Sequence, residues 1–268
     1  MEKDLVITLT VENQVKPEPY PVERSIFGMN IVDCMGETTQ DGVLSFPDSP
    51  LYLDFSGVKE IRYVAIFSHR WNYNNRVVSA SFPDLKYLGA VSIFYNAFYE
   101  CLNLESISFP MLKVATTDAF SYAFAKTRKL KTATFPELEI LTGFARSFND
   151  SEIEEVYFPK VKEARSGGGS TFAGCKSLRV ASFPLLEKLD AHSFNSMFEG
   201  CEALKTISFP SLITIPYNAF GSSTYAYAFR NSGLEEIHFR ADMQATIEAM
   251  TGYSAKWGAT NATIYFDL

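Results

Sequence analysis

Residues 104–110 read Leu-Glu-Ser-Ile-Ser-Phe-Pro, and this stretch decides the fold of the chain. Its closing positions alternate between polar and apolar residues, which is the period of a β-strand with one buried face. Pro110 has no N–H to donate to a neighbouring strand, so it ends the strand. The same pattern returns from Leu204 to Pro210. The stretch therefore predicts a short strand that is closed by a proline corner and is used more than once.

The phenylalanine of this pattern recurs along most of the chain. Successive copies are 23 to 30 residues apart, a period typical of repeat solenoids. A coil of this size cannot bury its own apolar face, whereas stacked coils share a continuous core and a parallel strand ladder. The nine copies are Phe55, Phe82, Phe109, Phe135, Phe158, Phe183, Phe209, Phe239 and Phe266.

A second pattern lies between the predicted strands. Aromatic residues stand four apart, as in Phe94/Phe98 and Phe120/Phe124. On an α-helix this spacing places both rings on one face. We therefore predict an α/β repeat solenoid, with a parallel strand ladder on the concave face and short helical turns on the convex side.

The combined pattern is Leu-x-x-Ile-x-Phe-Pro-x-Leu followed by Phe-x-x-Cys-x-x-Leu, over about residues 50–268. It resembles the BspA-like leucine-rich repeats, also called the Treponema-type class. Several positions depart from it: Ser56 and Arg240 replace the proline, Gly168 replaces the first aromatic residue, and Asp242 replaces an apolar residue. The resemblance implies a curved solenoid with surface, adhesion or receptor-binding roles, and it implies no catalytic residues.

The two ends of the chain depart from the period. Residues 1–49 contain an alternating strand at 5–11 and are predicted to form an N-terminal capping region, because a solenoid needs its first layer covered. The alternative is a segment that attaches the chain to a larger assembly. Residues 50–268 form the predicted solenoid, and residues 240–268 close it with a helix capped by Asp242 and stopped by Gly252.

Two internal segments also break the pattern. Residues 166–170, Ser-Gly-Gly-Gly-Ser, predict a mobile loop, and they lack the Lys-Ser/Thr of a phosphate-binding loop. Residues 222–226 lengthen the spacing between Phe220 and Phe229 from four to nine. This insertion either packs Tyr225 and Tyr227 against the solenoid or forms a binding loop.

Composition narrows the classes of partner. The chain of 268 residues has a net charge of −7 and no basic stripe, which disfavours nucleic acid. No apolar run reaches the roughly 18 residues of a membrane span, and the first residues lack a signal-peptide apolar stretch. Either the protein is not secreted by that route or a signal has been removed. We expect a monomer that is extracellular or at a cell surface, with a virion as the alternative.

No catalytic or metal-binding pattern is present in the sequence. His69, His192 and His238 fall in separate repeats without a second ligand at metal-binding spacing. Cys101, Cys175 and Cys201 share one repeat position, which favours buried thiols over a disulfide. We therefore predict a non-enzymatic protein with no cofactor.

The outward positions of the strand ladder are the predicted binding site. Most of them are small hydroxyl residues, which are also what a solvated strand carries when it binds nothing. Larger groups near the C-terminal end favour a groove, since aromatic residues supply contact area and polar handles. The predicted function is binding or adhesion to a protein or glycan at a cell surface, and the alternative is a phage virion or tail-associated receptor-binding or structural protein. The candidate residues are Glu155, Tyr157, Ser182, Thr206, Ser208, Glu236, His238 and Tyr265.

Overall fold

The computed structural model describes residues 50–62, 64–65, 67–224 and 226–268, together with five short strands between residues 5 and 45. Strands are numbered in chain order. The five are β1 (Leu5–Thr8), β2 (Ser25–Ile26), β3 (Met29–Asn30), β4 (Glu37–Thr38) and β5 (Leu44–Ser45). The nine predicted strands of the ladder are β6 (Leu51–Asp54), β8 (Val77–Ser81), β10 (Ser106–Ser108), β11 (Thr132–Thr134), β13 (Glu155–Tyr157), β15 (Val180–Ser182), β17 (Thr206–Phe209), β18 (Glu236–Phe239) and β19 (Thr263–Phe266).

These strands form the predicted parallel ladder. Their pairing runs β1-β6-β8-β10, then β11-β13-β15, then β17-β18-β19. At the two breaks in hydrogen bonding, β10 lies beside β11 and β15 lies beside β17. The ladder therefore continues from coil to coil, and the repeat solenoid of parallel strands is confirmed.

The N-terminal region is described only in part. β1 pairs in parallel with β6, and β2–β3 and β4–β5 are antiparallel pairs. The rest of residues 1–49, including Cys34, lies outside the described residues. That this region caps the solenoid stays a prediction.

The repeated phenylalanines form the core. From Phe55 to Phe183, five successive pairs of rings stack with centroids 4.3 to 5.9 Å apart and interplanar angles of at most 13°. The column then passes through Phe194, which lies 6.0 Å from both Phe183 and Phe209. Each buried ring contributes roughly 1.5–3 kcal/mol of transfer free energy. The stacked rings therefore help to hold neighbouring coils together.

A second ladder follows the proline corner, and the sequence analysis did not anticipate it. Its strands are only two residues long, and each ends on a side chain that faces the core. The sequence signal is an apolar residue six positions after every phenylalanine from Phe55 to Phe209. The strands are β7 (Glu60–Ile61), β9 (Tyr87–Leu88), β12 (Ile140–Leu141), β14 (Glu163–Ala164) and β16 (Lys188–Leu189).

The predicted helical turns are wrong. In the segment after β9, every fourth residue is left-handed: Ser92, Asn96 and Glu100 have φ of 53–55°. The Ala97 amide donates to the Phe94 carbonyl within the turn, while the Asn96 amide donates to a carbonyl of the next coil. An α-helix requires negative φ throughout. Tandem β-turns instead repeat every four residues, which is why the rings share one face.

Helical structure in the described residues is confined to the C-terminal cap. It comprises 3₁₀ segments at Ala241–Met243 and Tyr253–Gly258 and one α-helix, α1 (Gln244–Glu248). Met243, Ile247 and Met250 face the core as expected, and Gly252 has a φ of 84°. Asp242 does not cap the helix, because its carboxylate accepts hydrogen bonds from the Arg240 side chain at 2.6 and 2.9 Å.

The three described cysteines are buried free thiols, as the repeat position predicted. Each donates to the carbonyl of an aromatic residue one coil earlier: Cys101 to Trp71 at 2.9 Å, and Cys175 to Phe148 at 2.9 Å. Burial raises the pKa of both thiols to about 12. These side chains therefore satisfy inward-facing backbone oxygens and stay protonated.

The irregular segments are built into the coils. The Arg146 amide donates to the Gly169 carbonyl, so residues 166–170 form turns that are bonded to the neighbouring coil rather than a free loop. At Gly168 the missing ring is replaced by Met197, whose Cε would lie 3.5 Å from a Cβ there. Directly after the insertion at 222–226, Tyr227 packs against the core. Tyr225, within the insertion, lies outside the described residues.

Candidate binding surface

The ladder brings all eight candidate residues together on five neighbouring strands. We call the outward side of β13, β15, β17, β18 and β19 the ladder face. Tyr157 is in register with Ser182, and Ser208 with His238 and Tyr265. A parallel row contains Glu155, Thr206 and Glu236. The centre of β13, β17 and β18 is buried and the flanking residues are at least partly exposed, as the alternation predicted.

One group of side chains on the ladder face is centred on Glu155. The Tyr157 hydroxyl donates to Glu155 Oε2 at 2.9 Å, and the Arg179 guanidinium lies 2.7 Å from Glu155 Oε1. The hydrogen bond to Glu155 raises the pKa of Tyr157, so the phenol keeps its proton. A carboxylate held from two sides loses little conformational entropy when a ligand binds.

A second group is centred on His238. Its Nδ1 lies 2.9 Å from Asp267 Oδ1, its Nε2 lies 3.4 Å from Glu236 Oε2, and its ring stacks on Tyr265 with centroids 4.8 Å apart. The Thr206 hydroxyl donates to Glu236 at 3.4 Å. Two carboxylates and two rings are thus presented together at the C-terminal end of the ladder.

Small hydroxyl side chains separate the two groups. Ser182 is half-buried, and Thr206 and Ser208 are exposed. Because these side chains are short, a ligand could approach the backbone between the larger groups. The ladder face therefore has a group of large, hydrogen-bonded side chains at each end and short side chains between them.

Two residues of this surface were missed by the sequence analysis as site residues. Arg179 directly precedes β15, outside the alternating positions from which the candidate residues were chosen. Asp267 follows Phe266, at the position where most coils carry proline. A search for charged residues at that proline position would have found Asp267. Its contact with His238 joins residues 29 positions apart on neighbouring coils, which the pattern within one repeat does not give.

The position of His238 between carboxylates makes its titration a test of the geometry. Burial lowers the pKa of His238, but the hydrogen bonds to Asp267 and Glu236 outweigh it and raise the pKa above the ordinary 6.5. Because the folded pKa is raised, the protonated ring stabilises the folded protein. This stabilisation is fully present at pH values below the pKa that His238 has in the unfolded chain, and it is lost as the pH rises through the folded pKa. We expect Asp267→Asn to lower the pKa of His238, as measured by NMR titration of its ring protons.

The matched control for this titration is Asp242→Asn, since the Asp242 carboxylate pairs with Arg240 and not with a histidine. It should leave the His238 titration unchanged. An unaltered pKa in Asp267→Asn would contradict the placement of Asp267 against the ring.

The other histidines and thiols lie apart from this surface. His69 packs edge to face on Tyr95 at 5.3 Å, and His192 Nε2 lies 3.0 Å from Asn218 Nδ2. Among the described residues, no group of three His, Cys, Asp or Glu side chains is placed to hold a metal ion. No described helix has the length and apolarity needed to cross a membrane.

Comparison with known families agrees with this architecture. The BspA type leucine-rich repeat region matches residues 91–226 in six copies, which is about half of the chain. The chain belongs to the BspA-type leucine-rich repeat family. The resemblance drawn from the sequence is confirmed, and the coils of this BspA-type protein are the repeats that the family describes.

The BspA-type chain was also compared with solved structures and with curated proteins. It is similar to a leucine-rich repeat protein from Bacteroides ovatus ATCC 8483, with 19% identity, 81% of this chain and 68% of that chain covered, and a TM-score of 0.38. No curated protein matches the chain.

Proposed function

We propose that this BspA-type protein is a non-enzymatic recognition module whose ladder face binds a protein ligand. The observation that carries the proposal is the arrangement on β13 to β19: two groups of aromatic and charged side chains separated by small hydroxyls. Leucine-rich repeat proteins typically bind proteins or mediate adhesion, which supports this class of function. A cell-surface location, and the virion alternative, stay predictions.

The ladder face would supply the centre of one side of a protein interface, and the partner would also cover residues around it. At about 4.8 Å per strand, the four steps from β13 to β19 span roughly 19 Å. A standard interface buries about 800 Å² on each partner. Its binding energy is concentrated in a few Tyr, Trp and Arg side chains. Here those anchors are Tyr157 and Arg179 at one end and Tyr265 at the other.

A triple variant tests the proposal. We expect Tyr157→Ala/His238→Ala/Tyr265→Ala to weaken binding at least about 30-fold, which corresponds to about 2 kcal/mol for loss of hot-spot contacts. Binding is measured against an array of purified cell-surface proteins and a glycan microarray, with the affinity of each hit then determined in solution.

The control is Ser79→Ala/Ser81→Ala/Ser108→Ala, which changes outward residues at the other end of the same ladder. It should bind as the parent does. Equal affinity of the parent and the Tyr157/His238/Tyr265 variant for every hit would refute the ladder face as the binding site. Hits confined to the glycan array, and lost in that variant, would replace protein by glycan as the ligand.

A further inference from the structure

The tandem turns of each coil, such as residues 91–102, form a second surface of the solenoid, which we call the turn face. Its side chains are arranged in a regular order. In the coil at 91–102 each turn of four residues buries two side chains and directs two outward, the second of which is left-handed. The outward residues of this coil include Val91, Tyr95 and Tyr99, while Phe94 and Phe98 are buried. Hydrogen bonds between coils align these positions into columns along the solenoid.

In three adjacent coils, aromatic side chains occupy outward positions that belong to different columns. We call His69, Tyr73, Tyr95, Tyr99 and Tyr122 the aromatic patch. Their rings meet edge to face across coils, with centroids 5.3 Å apart for His69–Tyr95, 6.1 Å for Tyr95–Tyr122 and 5.5 Å for Tyr73–Tyr99. Tyr73 is 60% exposed. The patch therefore consists of two groups of contacting rings, His69–Tyr95–Tyr122 and Tyr73–Tyr99, all of them at least partly exposed.

Packing within the solenoid does not require rings at these positions. His69, Tyr73 and Tyr122 adopt left-handed φ of 55–60°, a conformation that disfavours bulky side chains. The column that begins at Tyr73 holds Gly174 and Gly200 in later coils, where the turn has the same hydrogen bonds. Since glycine serves the fold in that column, the turn does not require a ring at Tyr73.

Cations border the patch on one side. Lys126 lies over the Tyr99 ring at 5.0 Å and pairs with Glu100 at 2.9 Å. Arg146 lies over the Tyr122 ring at 5.5 Å and donates to the Tyr122 hydroxyl. The guanidinium of the exposed Arg146 is thus held in place by a phenol, and no carboxylate is paired with it among the described residues.

Exposed aliphatic side chains on the coil of Tyr95 and Tyr99 favour a protein as the partner. Val91 is 46% exposed and Leu102 is 39% exposed, at the two ends of the row that contains Tyr95 and Tyr99. Aliphatic surface gains free energy when it is covered by apolar groups and gains little against a hydrated sugar. Tyrosine and asparagine, present here as Tyr95-Asn96, are also the residues that protein-binding loops favour.

We propose that the aromatic patch is a second interaction surface, distinct from the ladder face, that docks a protein. The partner surface presents apolar side chains to Tyr73, Tyr95 and Tyr99 and a carboxylate to Arg146. The surface is confined to the coils before β13, because the corresponding turns of later coils carry Gly169, Ser170 and Ala173.

The test is a random peptide library displayed on phage and selected on the purified full-length chain. Selected peptides are expected to combine aromatic or aliphatic residues with Asp or Glu. The variant Tyr95→Ser/Tyr99→Ser should weaken their binding at least about 10-fold, since interface tyrosines are frequent hot spots. Arg146→Gln should weaken only the acidic peptides.

Two controls keep the outcomes distinct. Ser170→Ala changes the column of His69 and Tyr122 in a later coil, and the Tyr157/His238/Tyr265 variant changes the ladder face; both should bind the peptides as the parent does. Urea midpoints equal to that of the parent show that each variant is folded. The proposal is overturned by any of three results: peptides indifferent to the patch, patch-dependent binding to a glycan microarray alone, or patch-dependent self-association in sedimentation.

Discussion

Replacing Phe94 by alanine is expected to lower the free energy of unfolding by about 3–5 kcal/mol, the usual loss for a buried phenylalanine. Phe94 is fully buried, and four rings surround it: Phe67 at 5.0 Å, Phe82 at 5.1 Å, Phe109 at 5.6 Å and Phe120 at 5.1 Å. The change removes contacts with both neighbouring coils. Urea denaturation followed by circular dichroism measures it.

The control for Phe94→Ala is Ser106→Ala, which lies on an exposed position of β10. A surface substitution of this kind changes stability by at most about 0.5 kcal/mol. Because a solenoid couples nearest neighbours, Phe94→Ala should also make unfolding less cooperative. Similar urea midpoints for the two variants would contradict the stacked aromatic core.

Replacing Gly143 by alanine is expected to destabilise the protein by two separate effects. Gly143 has a φ of 76°, and the left-handed conformation costs an L-residue about 1–2 kcal/mol. In addition, a Cβ at Gly143 would lie 2.1 Å from the Thr116 carbonyl oxygen of the preceding coil. Relief of such a backbone clash costs roughly a further 1–3 kcal/mol. Thermal and urea unfolding measure the sum.

Gly200→Ala separates the two effects. Gly200 is also left-handed, with a φ of 70°, but its nearest neighbours are atoms of Gly174 at 3.7 Å, an ordinary contact. We expect Gly200→Ala to lose only the stability that the left-handed conformation costs, about 1–2 kcal/mol. If Gly143→Ala were no more destabilising than Gly200→Ala, the close approach of the coils at Thr116 would be refuted.

The helical turns illustrate how a correct spacing can lead to a wrong element. Phe94 and Phe98 do share a buried face, as predicted. An α-helix and a chain of four-residue turns both place residues i and i+4 together, so the spacing alone does not distinguish them. Tandem turns prevail here because alternate amides bond to the next coil, as Asn96 does to Ser121 at 3.0 Å. That partner exists only once coils are stacked.

The candidate surface was likewise predictable in part. Alternation along each strand identified Tyr157 and His238 as outward residues, and both are on the surface. It did not reveal that Arg179 holds Glu155 or that Asp267 holds His238. The aromatic patch was missed, because its rings fall on turns whose left-handed geometry the sequence pattern did not show.

The sequence by itself determined the period, the buried phenylalanine column and the parallel order of the strands, because these follow from one apolar pattern repeated at near-constant spacing. Only the tertiary structure decided the turn conformation, the second ladder after the proline corner and the pairing of surface charges. The physical reason is that these features depend on hydrogen bonds and contacts between coils, which join residues about 25 positions apart. The apolar residue after each proline corner marks a buried position, but it does not show that a second ladder forms there.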